Sequence, residues 1–294
     1  MTDQTEYIGK SLIQHGTYND RIYLMEWGED DPEFIAESLL ELARLKKYTK
    51  VFVRIPEKGI RPFIDRGFLT EAVIPDLYAG KEKGYFLGYF LSDRRKKAKR
   101  EEHLNKVLRT ALDKSVKPVP ASLKKGFNLR MAEEKDLAEL ATVYQAVFPE
   151  YPFPIGDPDF LKESMDSGHN RYFIVHNEEK IIAASSAEMY RDHAFVEMTD
   201  FATLPDYRGR SLARHLLKKM ETYCSKEGFI TAYTIARAVS FGMNITFSRL
   251  GYEYGGTLIN NTRIGKGIES MNVWFKCLRA QGFKGSRAHG FRGI

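Results

Sequence analysis

The sequence predicts an α/β protein: a mixed, twisted sheet with flanking helices, preceded by an N-terminal βαβ region. Three observations predict it. Strand-like and helix-like apolar patterns alternate along most of the 294 residues. The strand Phe195 to Leu204 runs through a basic, glycine-containing loop into a helix. That helix places Leu212, Ala213, Leu216, Leu217, Met220, Tyr223 and Cys224 on one face. Finally, the order strand, helix, strand, short helix, Gly-aromatic pair, hairpin occurs twice. Arg66-Gly67-Phe68 in the first run matches Leu250-Gly251-Tyr252 in the second.

Bulk properties narrow the function classes. A hydrophobic content of 43% and an aromatic content of 13% suit a globular core. No apolar run approaches the roughly 18–20 residues of a membrane span. The polar start, Met-Thr-Asp-Gln-Thr-Glu, has no signal-peptide core. Cys224 and Cys277 lack metal-ligand spacing and sit on apolar patterns, so buried free thiols in a reducing cytoplasm are expected, and no metal. The net charge of +6 is uneven: residues 91–126 carry 12 basic and 4 acidic groups, and residues 279–294 carry 4 and 0. Both longer segments are slightly acidic, which weighs against a nucleic-acid partner, because a binding domain spreads basic charge over a folded face.

Taken in order, residues 21–27 read as a strand. Asp31-Pro32 is a helix start, with Asp as N-cap and Pro in the first turn. Phe34, Ile35, Leu39, Leu42 and Leu45 give the helix its apolar face, and Val51 to Ile55 is a second strand, parallel to the first. A short helix ending at Gly67 and two aromatic strands, near 70–79 and 84–91, complete a region 1–92. Its loop Gly28-Glu-Asp-Asp31 is acidic where the later run is basic, so no phosphate-bearing cofactor is expected there. Its role is then structural, or it walls one side of the substrate site.

Residues 93–126 read as a basic helical linker with Leu104, Val107, Leu108, Ala111 and Leu112 on a narrow apolar face, and Lys117-Pro-Val-Pro120 as a boundary. The linker is read as a solvated helix, with an acidic partner or RNA as the alternative. Residues 127–278 form the main domain. Within it come a strand at 127–131, a helix after Asp136, and the stiff loop Phe148-Pro-Glu-Tyr-Pro-Phe-Pro-Ile155. Strands at 172–176 and 180–190 lead to the central strand. Phe229 to Ala236 follows as a strand, then a helix from Ser240 capped by Gly251, then a hairpin over 254–262 and 270–276. The Gly- and Arg-rich tail 279–294 is read as disordered.

The central loop, Leu204-Pro-Asp-Tyr-Arg-Gly-Arg-Ser-Leu-Ala-Arg214, resembles the acetyl-CoA pyrophosphate loop of the GCN5-related N-acetyltransferase (GNAT) superfamily. That loop has the pattern Gln/Arg-x-x-Gly-x-Gly/Ala. Gly209 matches it, whereas Asp206 and Ser211 depart from it. A loop entering a helix N-terminus offers unpaired N–H groups and the positive end of the helix dipole to an anion. The wording of residues 127–277 is more specific. Tyr-Pro-Phe-Pro-Ile at 151–155, Tyr-Thr-Ile-Ala-Arg-Ala, Gly-Met-Asn-Ile-Thr-Phe, Tyr-Gly-Gly-Thr-Leu-Ile-Asn-Asn and Glu-Ser-Met-Asn-Val-Trp-Phe-Lys together resemble the β-lysine N-acetyltransferases.

The resemblance implies a GNAT fold, with region 1–92 as a degenerate GNAT-like half. It implies acetyl-CoA as co-substrate and a small amine, β-lysine, as acceptor. The product would be Nε-acetyl-β-lysine, a compatible solute of salt-stressed microbes. Cofactor contacts fall to the main chain of Phe201, Ala202 and Thr203, to Tyr207, Arg208, Gly209, Arg210, Ser211 and Leu212, and to Asn244. An alkylamine with pKa near 10.4 costs about 4–5 kcal/mol to hold neutral at pH 7, so the site needs a proton acceptor. Glu197 is the choice, at the strand position where histone-lysine acetylating members carry their catalytic Glu. Asp200 is the alternative, on the opposite side-chain parity. Many members place a Tyr acid where this chain has Phe247, which leaves Tyr252, Tyr233 or a water to protonate the thiolate. The substrate's second amine and carboxylate would meet Tyr151 and Phe153 of the stiff loop, Asp200, and Asn260, Asn261, Ser270 and Asn272 of the closing hairpin. A different class of function, an acetyl-CoA-binding module whose basic linker and tail hold RNA or an acidic protein, stays open, as do other amine acceptors and a homodimer.

Overall fold

The computed structural model describes residues 3–114, 116–117, 122–265 and 267–279. The tail from 280 onward, and most of the Pro-rich boundary, lie outside the described residues. The N-terminal part contains β1 (Gln4–Ile8), β2 (Ser11–Gly16), β3 (Arg21–Glu26), α1 (Pro32–Leu45), β4 (Lys50–Pro56), α2 (Arg61–Asp65), β5 (Leu69–Tyr78) and β6 (Glu82–Phe90). Two helices follow, α3 (Asp93–Lys96) and α4 (Glu101–Leu112). The remainder is β7 (Asn128–Met131), α5 (Leu137–Val147), α6 (Pro158–Asp166), β8 (Asn170–His176), β9 (Ile181–Tyr190), β10 (Phe195–Thr203), α7 (Leu212–Lys226), β11 (Thr231–Arg237), α8 (Phe241–Arg249), β12 (Glu253–Ile264) and β13 (Gly267–Cys277). The hairpin β1–β2 and helix α6 have no counterpart in the sequence reading.

Among the described residues, thirteen strands make one continuous sheet, in the order β1-β2-β3-β4-β6-β5-β12-β13-β11-β10-β9-β8-β7. The strand β3 lies parallel to β4, which is followed by antiparallel β6 and β5. Likewise β10 lies parallel to β11, followed by antiparallel β13 and β12. The same succession therefore runs inward from both sides and meets at β5–β12. The seam demands a glycine: Gly256 has φ +146°, and a Cβ there would lie 2.2 Å from the Glu71 carbonyl oxygen. An apolar cluster crosses the seam, with Phe52, Ile74 and Phe86 from one side and Phe195, Leu258 and Val273 from the other.

Local chemistry explains most elements. Asp31 caps α1 through Glu33 N–H at 3.1 Å, with Pro32 behind it. Ser240 caps α8 through Met243 N–H. In α1, Ile35, Ala36, Leu39, Leu40 and Ala43 are buried, but Phe34 and Leu45 are exposed, so the buried face is rotated from the one the periodicity suggested. Cys224 is buried, and burial pushes its thiol up to about 12, whereas Cys277 is exposed, contrary to expectation. The linker helix α4 is not wholly solvated: Leu104, Val107 and Ala111 are buried, and Ser248 of α8 donates to Ala111 O at 2.6 Å.

Candidate active site

The parallel pair β10–β11 holds for only a few rungs, from Phe195↔Thr231 to Glu197↔Tyr233. From Met198 onward the β10 edge that faces β11 has no strand partner, while its other edge stays paired to β9 as far as Thr203↔Ala183. The main-chain groups of Phe201, Ala202 and Thr203 thus border the cleft where the two strands part, on the edge that β11 no longer pairs with. The cleft leads to the loop before α7, where Tyr207 packs under Arg210 at 5.3 Å and Arg208 is exposed. Gly209 has φ +77° and nothing within 4 Å of a would-be Cβ. Ser211 is the α7 N-cap at φ +61° and makes no side-chain cap bond, so its hydroxyl satisfies none of the first N–H groups of this 15-residue helix; Leu212 anchors the turn in the core.

At the fork of the cleft lies a narrow pocket of about 90 Å³. Three carboxylates line it: Glu188, Glu197 and Asp200. Tyr233 donates to Glu197 Oε2 at 2.6 Å and itself accepts from Arg54 Nη1 at 2.5 Å. The Arg54 guanidinium lies 4.3 Å from the Tyr190 ring. Both Glu197 and Glu188 keep some accessible surface at the pocket wall but are deep in protein. Desolvation raises the Glu197 carboxyl above its ordinary value, opposed by the Tyr233 hydrogen bond and Arg54. Glu188 is raised well above its ordinary value, first by desolvation, then by Glu197 and Asp200.

Asp200 corrects the parity argument. Between Thr199 and Ala202, β10 carries one more residue than β9, and Asp200 sits in the bulge at φ +54°. The bulge turns its side chain to the pocket that Glu197 lines. There Asp200 accepts from the Tyr151 hydroxyl at 2.6 Å and from Ser186 Oγ at 2.5 Å. Tyr151 and Phe153, from the stiff loop, close one side of the pocket.

Several expected site residues are placed elsewhere. Asn244 is fully buried and saturated: its Nδ2 donates to Arg237 O and Ser240 O, and its Oδ1 accepts from Asn272 Nδ2 and Trp274 Nε1. No group of Asn244 is left for a cofactor. Asn272 is consumed in the same network, since its Oδ1 accepts from Thr257 Oγ1 at 2.7 Å. Asn260 ties β12 to α3 by donating to Arg95 O and Lys97 O, and its N–H donates to Ser270 Oγ. Asn260 and Ser270 are thus engaged in joining segments. Tyr252 packs 5.1 Å from Phe247 in the core under α7 and does not line the pocket. Asn261 does line it.

The N-terminal part supplies a wall of the pocket through Arg21, Tyr23, Met25 and Phe52. Its position depends on β12, which carries two more residues than β13 between Leu258 and Thr262. The bowed carbonyls there are each met by a cation: Ile259 O by Lys50 Nζ, Asn260 O by Arg95 Nε, and Asn261 O by Arg21 Nη1. Arg21, Arg54, Tyr190 and Glu188 escaped the sequence reading. A signal existed for Glu188. The hairpin pairing Tyr190↔Phe195 places Glu188 opposite Glu197 by symmetry about the turn. Among the described residues no group of three His, Cys, Asp or Glu could hold a metal, and no helix is long and apolar enough to cross a membrane.

Comparison with known proteins agrees with this geometry. The Acetyltransferase (GNAT) family profile matches residues 137–252. A β-lysine N(6)-acetyltransferase of Methanococcus maripaludis is 38% identical over 92% of this chain and 97% of its own length. The N-acetyltransferase YodP of Bacillus subtilis is 36% identical over 91% and 96%. A β-lysine N(6)-acetyltransferase of Methanosarcina mazei is 34% identical over 84% and 97%. With a parted strand pair, a basic loop entering a helix, and relatives of this similarity along most of its length, the chain belongs to the GNAT family of acetyltransferases.

Proposed function

We propose that this enzyme transfers the acetyl group of acetyl-CoA to the side-chain amine of β-lysine, directly, within a ternary complex. The observation that carries this reading is the grouping of Glu188, Glu197 and Asp200 with the cation Arg21 in one narrow pocket beside the open β10–β11 cleft. A diamino monocarboxylic acid presents two ammonium groups and one carboxylate, which complements that set.

Acetyl-CoA fits the residues present. The free edge of Phe201 to Thr203 suits the amides of the pantetheine arm, and one of its N–H groups can polarise the thioester carbonyl. Arg208, Gly209, Arg210 and Ser211 suit the pyrophosphate. Glu197 receives the proton of the acceptor ammonium. Its raised pKa narrows the gap to an alkylamine, and the Tyr233 hydroxyl fixes one of its oxygens so that the other is aimed at the substrate. The amine nitrogen then forms the C–N bond as the C–S bond breaks, and the second proton that the nitrogen sheds passes through water to the departing thiolate. Acetylation removes one positive charge, and the product is a neutral zwitterion able to accumulate without a counter-ion. That property suits a compatible solute made in the cytoplasm. The N-terminal part acts as a degenerate GNAT-like half that walls the acceptor site.

The test is turnover of acetyl-CoA with β-lysine, α-lysine, spermidine and a lysine peptide, read by thiol release and product mass. Selective acetylation of β-lysine is expected. Thiol release with none of these amines, despite acetyl-CoA binding, would sink the reading in favour of a binding module.

A further inference from the structure

We propose that Arg21 and Asn261 form the carboxylate end of the acceptor site, so that the N-terminal half reads the acid group of a diamino acid. The proposal rests on the acceptor reading above and adds to it the residues that separate amino acids from polyamines.

Three buried cations meet the bowed carbonyls of β12, and two of them have an anionic partner. Lys50 pairs with Glu71 at 2.7 Å, and Arg95 lies 3.6 Å from Asp20. Arg21 is 4% exposed and has no ion pair with a carboxylate among the described residues. Its Nη1 donates to Asn261 O and to Thr262 Oγ1, while its Nε–H, also buried, finds no acceptor. A buried guanidinium without an anion is costly unless one arrives. The Tyr23 and Phe52 rings, 5.3 and 5.5 Å from its central carbon, hold the planar group in place at the pocket wall. Burial lowers its pKa only to about 10, so it is a cation at neutral pH.

Asn261 sits beside it, 1% exposed, and its Oδ1 has no hydrogen-bond donor. An unpaired donor and an unpaired acceptor, on adjacent buried side chains lining one pocket, call for a ligand with the opposite pair. The carboxylate and neighbouring C3 ammonium of a 3,6-diaminohexanoate supply it. The distal amine is then left for Glu197. A polyamine has no carboxylate, and its binding would leave Arg21 buried and unpaired.

The experiment compares β-lysine, 1,4-diaminopentane, which lacks the carboxylate, and 6-aminohexanoate, which lacks the second amine. The ratio of kcat/KM for β-lysine to that for 1,4-diaminopentane is measured in wild type, Arg21→Gln and Arg21→Lys. This ratio does not depend on the fraction of enzyme that folds. The expected result is a fall of about 10- to 100-fold in Arg21→Gln, the range of a charged hydrogen bond, with a smaller fall in Arg21→Lys. An unchanged ratio overturns the subsite and makes Arg21 a structural tie of β12. Calorimetric binding of 6-aminohexanoate to the CoA-loaded enzyme reads the subsite without turnover. Weaker binding in Arg21→Gln supports it even if β-lysine proves not to be the acceptor. Equal binding in both proteins overturns it even if β-lysine is acetylated.

Discussion

Tyr233 donates its hydroxyl hydrogen to Glu197 across the last rung that β10 and β11 share. The two residues mark where the sheet opens, so the fork proposed to admit the thioester also fixes the carboxylate proposed as base. The same hydroxyl accepts from Arg54, which belongs to β4 of the N-terminal part. The carboxylate is therefore oriented by a chain of contacts that begins in the half of the molecule without a basic loop.

The first consequence concerns Glu197 itself. Replacing it with Gln removes the proton acceptor but keeps the shape and the Tyr233 contact. The expected loss in kcat is about 10²–10⁴-fold, the usual share of a general base. A KM for acetyl-CoA close to that of wild type should accompany it. Steady-state kinetics check this, and unchanged turnover would remove Glu197 from the role.

Tyr233→Phe should alter the pH profile more than the maximum. The Tyr233 hydrogen bond holds the Glu197 carboxyl down against desolvation. Without it the carboxyl rises further. A base must be ionised to act, so the acidic limb of kcat/KM moves to higher pH in the variant. A limb that stays in place or moves down would show that a different group limits the rate.

Glu188 is a stability prediction. Its pKa in the folded protein is well above the ordinary value of 4.5. The folded state therefore keeps a proton that the unfolded chain releases, and stability falls as pH rises from about 4.5 toward the folded pKa. Glu188→Gln removes that dependence. Its thermal midpoint should match wild type near pH 4 and exceed it at pH 8, by a margin that grows with pH. A gain that is larger at low pH would contradict the sign. Any accompanying loss of activity would mark Glu188 as a stability cost kept for the acceptor amine.

How far the sequence was legible follows from the range of the interactions. The strand order around β10 and α7 was readable because a hairpin, a Gly-containing loop and a 3.6-residue repeat are local signals. Asp200 was named but set on the wrong face, because a strict two-residue alternation cannot foresee the extra residue at the β10 bulge. Asn244 and Asn272 looked like ligand-binding amides, yet each finds its partners in a different element. Arg21 carried no signal. Its destination is set by the meeting of β5 with β12, a contact between segments far apart in the chain.

The Asn244 network gives a test of that distinction. Asn244→Ala strands the Trp274 Nε1–H and the Asn272 Nδ2 in the core, two buried donors that lose their shared acceptor. Each unsatisfied group costs about 1–3 kcal/mol. The thermal midpoint should fall sharply, while the KM for acetyl-CoA of the protein that remains folded, measured at low temperature, should change little. A cofactor contact would give the reverse pattern, a raised KM with near-normal stability.

The loop before α7 makes the last prediction. Gly209 has open space around it but a φ of +77°, so Gly209→Ala forces an alanine into the left-handed region at a cost of about 1–2 kcal/mol. Little of that cost should appear as unfolding, because the loop is exposed and can relax. It should appear as a higher KM for acetyl-CoA, since the relaxed loop no longer aims its N–H groups outward together. Arg210→Ala acts on the same ligand by charge instead. Its defect should be largest at low ionic strength and shrink as salt screens the wild-type arginine. Salt-independent loss in Arg210→Ala would point to its packing over Tyr207 rather than to a contact with an anion.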